Sequence, residues 1–316
     1  MTEPLDVPKN RSGNSWLKAV HAIHDKSSIG LVGAGLLGSA IAERLILAGR
    51  TVTGFDISEP CRLRLRELGG HVGDSTADVF RHCRIVILSL PDSDVVQRLI
   101  DDVADAIDAH LIIDTTTGWP ESSRLIGSRL AELGTGYLDA TVVGSSEQAR
   151  RGEAVMLVGG ELEAYESVLP ILRMISSTQF HTGPCGSGAT AKLIVNLVLG
   201  LNRAVLAEGL SLARSCGVDL PQILEILQSG AAYSRAMDTK GPKMLSGDFT
   251  PQARLDQHWK DVRLILELGR QHDATLPLSQ VHDGLLERAS AMGFGAEDNS
   301  AVIRAFEVAL SPVAPT

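Results

Sequence analysis

Ile29-Gly-Leu-Val-Gly33-Ala-Gly35-Leu-Leu-Gly38 spaces three glycines as G-x-G-x-x-G between an apolar run and an amphipathic one. The run before the glycines has the length and content of a buried strand, and residues 36–48 have the spacing of a helix. In that setting each glycine has a task. Gly33 permits a tight turn, Gly35 lets backbone approach a pyrophosphate, and Gly38 lets helix lie against strand. Amides from Ala34 through Leu36 and Leu37 then offer N–H groups, and the positive end of a helix dipole, to phosphate oxygens. Asp56 closes the next apolar run, 51–55, about 20 residues further on. A carboxylate there accepts hydrogen bonds from two ribose hydroxyls and repels a 2′-phosphate. The plainer reading is a strand-ending turn residue. The placement predicts a dinucleotide site that takes NAD in preference to NADP, with Arg62 and Arg64 nearby working against that preference.

Short Val- and Ile-rich runs continue at 84–90, 111–114, 137–143 and 155–158, separated by helix-like stretches. This alternation predicts βαβ units and an open parallel sheet. Leu90-Pro91-Asp92 and Asp114-Thr-Thr-Thr117 end two of the runs, where ligands of such sheets bind, although either is also an ordinary turn or helix cap. From Gly188 onward strand signals stop. Helical patterns occupy 189–214, 221–228, 257–271, 276–292 and 300–310, with Pro221, Pro277 and the Gly241-Pro242 pair placed at helix starts or stops. The expected fold class is α/β: an N-terminal Rossmann-type doubly wound sheet, a long interdomain helix and an all-α C-terminal domain. Three regions follow. A polar tail covers 1–27, a dinucleotide-binding domain 28–187, and the interdomain helix with a helical substrate and oligomerisation domain 188–316. Two lobes with a cleft between them are expected.

A net charge of −9 with only 4% aromatic residues argues against nucleic-acid partners, which need basic surfaces or stacking platforms. Cys61, Cys83, Cys185 and Cys216 form no CxxC, so reduced packing thiols are expected. The first residues, 1–28, are polar, and no segment has the charge-free length of a bilayer span. The reading is a soluble, cytoplasmic protein without a membrane partner. No GxSxG, HExxH or clustered ligand set occurs, so no metal is expected.

The second motif is Gly183-Pro-Cys-Gly186-Ser-Gly188-Ala-Thr-Ala-Lys192-Leu-Ile-Val-Asn196. Lys192 and Asn196, four apart, share one face of an otherwise apolar helix. Burial disfavours an ammonium, so a lysine walled in by hydrocarbon has a lowered pKa and can give and take a proton near neutrality. Asn196 would then hold the lysine or a substrate hydroxyl. Spacing alone leaves this reading level with a snorkelling lysine beside a surface asparagine.

Together the motifs resemble the β-hydroxyacid dehydrogenase family, which includes 3-hydroxyisobutyrate dehydrogenase and tartronate semialdehyde reductase. The likeness runs from about Ile29 to Glu307. It is carried in order by the glycine turn, Leu90-Pro91-Asp92, Asp114-Thr-Thr-Thr117, Asp139-Ala140 with Gly144, Gly183 to Asn196, Gly241-Pro242 with Gly247-Asp248-Phe249, and Lys260-Asp261. The resemblance implies an oxidoreductase moving a hydride between NAD and a small anionic β-hydroxy acid. Lys192 matches the family's catalytic lysine and Asn196 its substrate-binding partner. Leu90 and Pro91 match the loop along the nicotinamide ribose, and Thr117 and Lys260 match further cofactor contacts. It also implies a homodimer or homotetramer formed through the helical domain.

Two departures touch the substrate. Family members commonly read Asp-Ala-Pro-Val-Ser-Gly-Gly, whereas this chain reads Asp139-Ala-Thr141-Val-Val143-Gly144-Ser145-Ser146. Gly144 with Ser145 and Ser146 is expected to hold the substrate acid group. Arg235 stands where tryptophan is common and is either an anion clamp or a solvated surface residue. Candidate substrates are 3-hydroxyisobutyrate, glycerate or tartronate semialdehyde, or a related acid. The competing readings are a non-catalytic NAD(P)-binding sensor or scaffold and an imine reductase-like enzyme.

Overall fold

Eight strands form one sheet in the order β3-β2-β1-β4-β5-β6-β7-β8. They are β1 (Ile29–Val32), β2 (Val52–Phe55), β3 (His71–Val72), β4 (Ile85–Leu88), β5 (Leu111–Asp114), β6 (Gly136–Val143), β7 (Val155–Gly159) and β8 (Thr178–Gly183). The computed structural model describes residue 16, residues 28–108 and residues 110–307. The expected tail lies outside the described residues except for Trp16, which is buried, with its ring where a side chain on Gly136 would begin.

The helices of the sheet unit are α1 (Leu36–Leu47), α2 (Glu59–Glu67), α3 (Thr76–His82), α4 (Ser93–Asp102), α5 (Pro120–Glu132), α6 (Ser146–Arg150) and α7 (Leu162–Ile175). Alternate strand residues supply two separate cores. Ile29, Leu31, Ile85, Ile87, Leu111 and Ile113 join one, while Val32, Val86, Leu88 and Ile112 join the other. Both faces of β1, β4 and β5 are therefore covered, which is why their sequences are continuously apolar. The sheet is doubly wound about β1.

Two strands, β7 and the β8 that runs parallel to it, depart from the expected parallel arrangement. β7 runs antiparallel to β6, pairing Thr141 with Leu157. A parallel return needs a crossover of roughly a dozen residues or more. The link between β6 and β7 holds only the five-residue α6, so the chain doubles straight back. β3 and β8 were not expected either. β3 has two residues, and β8 reads Thr-Gln-Phe-His-Thr-Gly and is only partly buried at the sheet edge, so neither carries an apolar run.

The long helix α8 (Ser187–Ser215) follows, then α9 (Leu220–Ser229), α10 (Arg235–Ser246), α11 (Leu255–Gln271) and α12 (Pro277–Ala289). The chain divides into compact units between Lys192 and Leu193, inside α8. In length and hydropathy α8 would suffice to cross a membrane. It nevertheless buries Lys192, Asn196 and Arg203 within the protein, as a core helix does.

Gly241-Pro242 is not a helix end. It lies inside α10, a helix the sequence pattern had not announced. Proline there forfeits the hydrogen bond to the Asp238 carbonyl. Gly241 lets α10 press against Leu224 of α9, where a Cβ would come within 2.6 Å of that side chain. Packing thus overrides local propensity. Beyond α12 the expected helix over 300–310 is a 3-10 segment, Asn299–Phe306, entered where Asp298 accepts the Ser300 N–H; residues 308–310 lie outside the described residues.

Candidate active site

β1, β4, β5 and β6 are parallel neighbours, so their carboxyl ends share one edge of the sheet. The glycine turn, Leu90-Pro91, Thr115 to Thr117 and Gly144 all lie there. Gly33 has φ +91, and a side chain on it would run into the Ser89 carbonyl. Gly38 is pressed onto the Gly33 carbonyl in the same way. Around Gly35 a Cβ would meet nothing within 4 Å, and α1 starts there without a side-chain cap or an acidic residue in its first turn. Helix amides are thus presented to open space, a cradle that fits a pyrophosphate.

Asp56 ties this turn to β2. Its Oδ2 accepts the Ala34 N–H and its Oδ1 the Ser58 N–H, each at 2.7 Å. Two amides therefore fix the carboxylate at the strand end while lone pairs remain for a ribose. Arg62, expected to weaken a preference for NAD, is occupied: its Nη1 donates to the carbonyls of Asp56 and Ile57.

The neighbouring strand ends are bound to each other. Thr115 Oγ1 donates to the Leu88 carbonyl at 2.7 Å, and Leu90 N–H donates to Thr116 Oγ1 at 3.1 Å, which sets the Leu90-Pro91 loop. Thr117 is half-buried beside them. Beneath, Asp114 accepts the Tyr137 hydroxyl and the Thr116 N–H. Burial raises the Asp114 carboxyl to about 6; the Thr116 and Tyr137 hydrogen bonds oppose that rise, and nearby Asp139 adds to it.

Lys192 is buried, but its nitrogen does not lie in hydrocarbon as expected. Nζ donates to the Val142 carbonyl at 2.6 Å, near the carboxyl end of β6. The physical reason is that a buried amine needs acceptors, and the strand end supplies one. Asp139, on the same strand, holds the start of α8: Oδ1 accepts the Gly186 N–H and Oδ2 the Ala189 N–H, both at 2.8 Å. Burial raises the Asp139 carboxyl pKa, against the pull of those amides.

Asn196 stands one helical turn beyond Lys192, also buried. Its Nδ2 donates to Asp261 Oδ2 at 2.9 Å, so Asn196 is oriented by a carboxylate that the sequence reading had noted without a role. Lys260 precedes Asp261 on α11 and is half-buried. Arg235 is exposed as the first residue of α10.

The Gly144 loop needs one correction. Gly144 is exposed with φ +143, a conformation suited to glycine. Ser145, expected to offer both amide and hydroxyl to an anion, forms a capping box with Gln148: its N–H donates to Gln148 Oε1 and its Oγ accepts the Gln148 N–H. The amide is spent, which leaves only the hydroxyl proton. The Ser-x-x-Gln spacing was a readable signal for this. Ser146 begins α6 and is half-buried.

Comparison with known proteins bears on the same residues. The signature described as the NAD binding domain of 6-phosphogluconate dehydrogenase matches residues 28–183. That described as NAD-binding of NADP-dependent 3-hydroxyisobutyrate dehydrogenase matches 186–306. The 2-(hydroxymethyl)glutarate dehydrogenase of Eubacterium barkeri is 32% identical over 88% of this chain and 94% of its own. The chain belongs to the β-hydroxyacid dehydrogenase family. L-threonate dehydrogenase of Cupriavidus necator is also similar, 31% identical over 88% of this chain and 96% of its own. Among solved structures, 3-hydroxyisobutyrate dehydrogenase from Salmonella typhimurium superposes with a TM-score of 0.82 at 25% identity, covering 88% of this chain and 99% of that one. As a β-hydroxyacid dehydrogenase the chain is an NAD(P)-dependent oxidoreductase of small hydroxy acids.

Proposed function

We propose that Lys192 is the proton donor and acceptor of this dehydrogenase, acting on a hydroxyl β to the substrate carboxylate. One observation carries the reading: the Lys192 amine sits against the Val142 carbonyl, two residues before Gly144, on the sheet edge that bears the glycine turn. When bound, NAD supplies the hydride acceptor, and its reduced form the donor. Lys192 takes the hydroxyl proton in oxidation and returns it in reduction. The bond to Val142 holds Nζ in place, and Asn196, itself held by Asp261, orients the substrate hydroxyl.

The exposed Gly144 amide and the hydroxyls of Ser145 and Ser146 receive the acid group, and Arg235 is a candidate second contact for a longer or doubly charged acid. The named relatives, acting on 2-(hydroxymethyl)glutarate and L-threonate, support an acid of this kind. The glycine turn, with Ala34, Leu36, Leu37, Leu90 and Pro91, holds the cofactor, and Asp56 favours NAD over NADP. The roles of Thr117 and Lys260 rest on the family resemblance. The four free thiols support a reducing, cytoplasmic setting.

A homo-oligomer is part of this reading. Ile194, Val198, Val205 and Leu212 of α8 are each more than half exposed and recur at helical spacing, an apolar stripe that a second copy would cover.

The test is Lys192→Ala, assayed against a panel of β-hydroxy acids. Turnover falls by ~10²–10⁴-fold, the usual contribution of a positioned acid/base, while NAD affinity by fluorescence titration stays within about twofold of wild type. Wild-type turnover in the variant overturns the assignment.

A further inference from the structure

We propose that Thr141 is a positioning residue for Lys192, setting the first turn of α8 on β6 through its side-chain hydroxyl. The proposal rests on the proton role given above to Lys192.

Thr141 is wholly buried in the middle of β6. Strand alternation puts its side chain on the same face as that of Asp139, and the first turn of α8 lies against that face. The Thr141 hydroxyl donates to the Gly188 carbonyl at 3.1 Å, with the Leu157 carbonyl of β7 as a longer alternative at 3.4 Å. In an α-helix the carbonyl of residue 188 also accepts the backbone N–H of residue 192. One oxygen therefore meets both the strand hydroxyl and the main chain of the lysine.

Three attachments of different chemistry fix the same turn. The Asp139 carboxylate takes two amides at the start of the helix, those of Gly186 just before it and Ala189 in its first turn. Thr141 takes the carbonyl at Gly188. Val142, the next residue, receives the Lys192 amine. The approach is close enough to demand glycine at 188, where a Cβ would run into the Asp139 carbonyl and come within 2.7 Å of that of Leu157. A displaced helix start moves the Lys192 backbone relative to the Val142 carbonyl, and the flexible side chain can regain that contact only by changing the torsions that now aim Nζ. Deleting the Thr141 hydroxyl leaves the Gly188 carbonyl short of a buried donor and loosens the turn, whose backbone the Asp139 carboxylate alone then ties to β6. The lysine then loses its aim, while the glycine turn that holds the cofactor is untouched.

Thr141→Val keeps the shape and removes the donor. Its kcat is expected to fall about tenfold or more, in line with the cost of a small misplacement. The KM for NAD should stay within about twofold, and the pH profile of kcat should shift, because Nζ has changed surroundings. Thr141→Ser restores the donor and should recover both kcat and profile. Wild-type kcat and profile in Thr141→Val overturn the proposal, as does an equal loss in the serine and valine variants, which marks a packing effect. Should Thr141→Val fail to fold, Thr141→Cys, a similar volume with a weak donor, is read instead: intermediate kcat supports the proposal and wild-type kcat overturns it. Lys192→Ala run in parallel separates the two claims. If Lys192→Ala is active, the proton role itself fails. If Lys192→Ala is inactive and Thr141→Val behaves as wild type, only the positioning role fails.

Discussion

Asp114 and Asp139 are paired across the parallel strands β5 and β6, both buried, yet each carboxylate faces a different task. Asp114 gathers the Tyr137 hydroxyl and the Thr116 amide at the carboxyl end of β5. Asp139 gathers the amides that open α8. Two carboxylates in adjacent register repel one another when both are ionised, and burial raises both, against the hydrogen bonds donated to them.

That arrangement has a measurable pH signature. Asp114 titrates at about 6 in the folded chain against an ordinary value of 3.8, chiefly through burial. The folded state therefore binds this proton more tightly than the unfolded one, and its contribution to stability declines as pH rises from about 4 through 6. Asp114→Asn removes that slope. Urea unfolding of both proteins at pH 4.5 and pH 7 should show the variant gaining relative to wild type at the higher pH, by roughly 1–3 kcal/mol. A constant difference across the window would refute the assignment.

Lys240 and Asp298 form the opposite case. Their charges meet at 2.8 Å inside the helical unit, with the aspartate side chain wholly buried. Burial pushes the Asp298 carboxyl up, but the Lys240 ammonium and hydrogen bonds from Ser300 and the Gln252 amide outweigh it and bring it down to about 2. The stability it confers is present above pH 4 and is lost as pH falls towards 2. Lys240→Met strands the carboxylate and should cost about 3–5 kcal/mol in urea unfolding at pH 7. The penalty should shrink in acid, where Asp298 of the variant can protonate. A loss below 1 kcal/mol at neutral pH would show that the pair contributes little.

The proposed preference for NAD rests on Asp56, whose carboxylate is already held by two amides. Asp56→Ala removes the ribose acceptor together with the brace between the glycine turn and β2. The KM for NAD should rise about tenfold, as expected for one or two hydrogen bonds to a charged group. The ratio of kcat/KM for NADP to that for NAD should move towards NADP by a similar factor. Steady-state kinetics with both cofactors decides it, and an unchanged ratio would remove Asp56 from the discrimination.

The strands β1, β2, β4 and β5, the glycine turn and most of the C-terminal helices were readable from residues because their causes are local. A positive φ at Gly33, apolar runs in strands covered on both faces, and helical spacing each act over a few residues. Lys192 and Asn196 could be placed on one helix face for the same reason. Their partners could not. Lys192 meets Val142 across 50 positions, Asn196 meets Asp261 across 65, and Lys240 meets Asp298 across 58. No periodicity records which distant acceptor a buried donor will find, since any carbonyl or carboxylate of suitable reach satisfies the same local pattern. The reversal of β7 and the proline inside α10 were likewise settled by crossover length and by packing on α9. The glycine turn and the lysine helix thus belong to the chain's local chemistry, whereas the setting of the lysine amine was decided only when β6 and α8 came together, because buried polar groups must be paired wherever the fold happens to bring them.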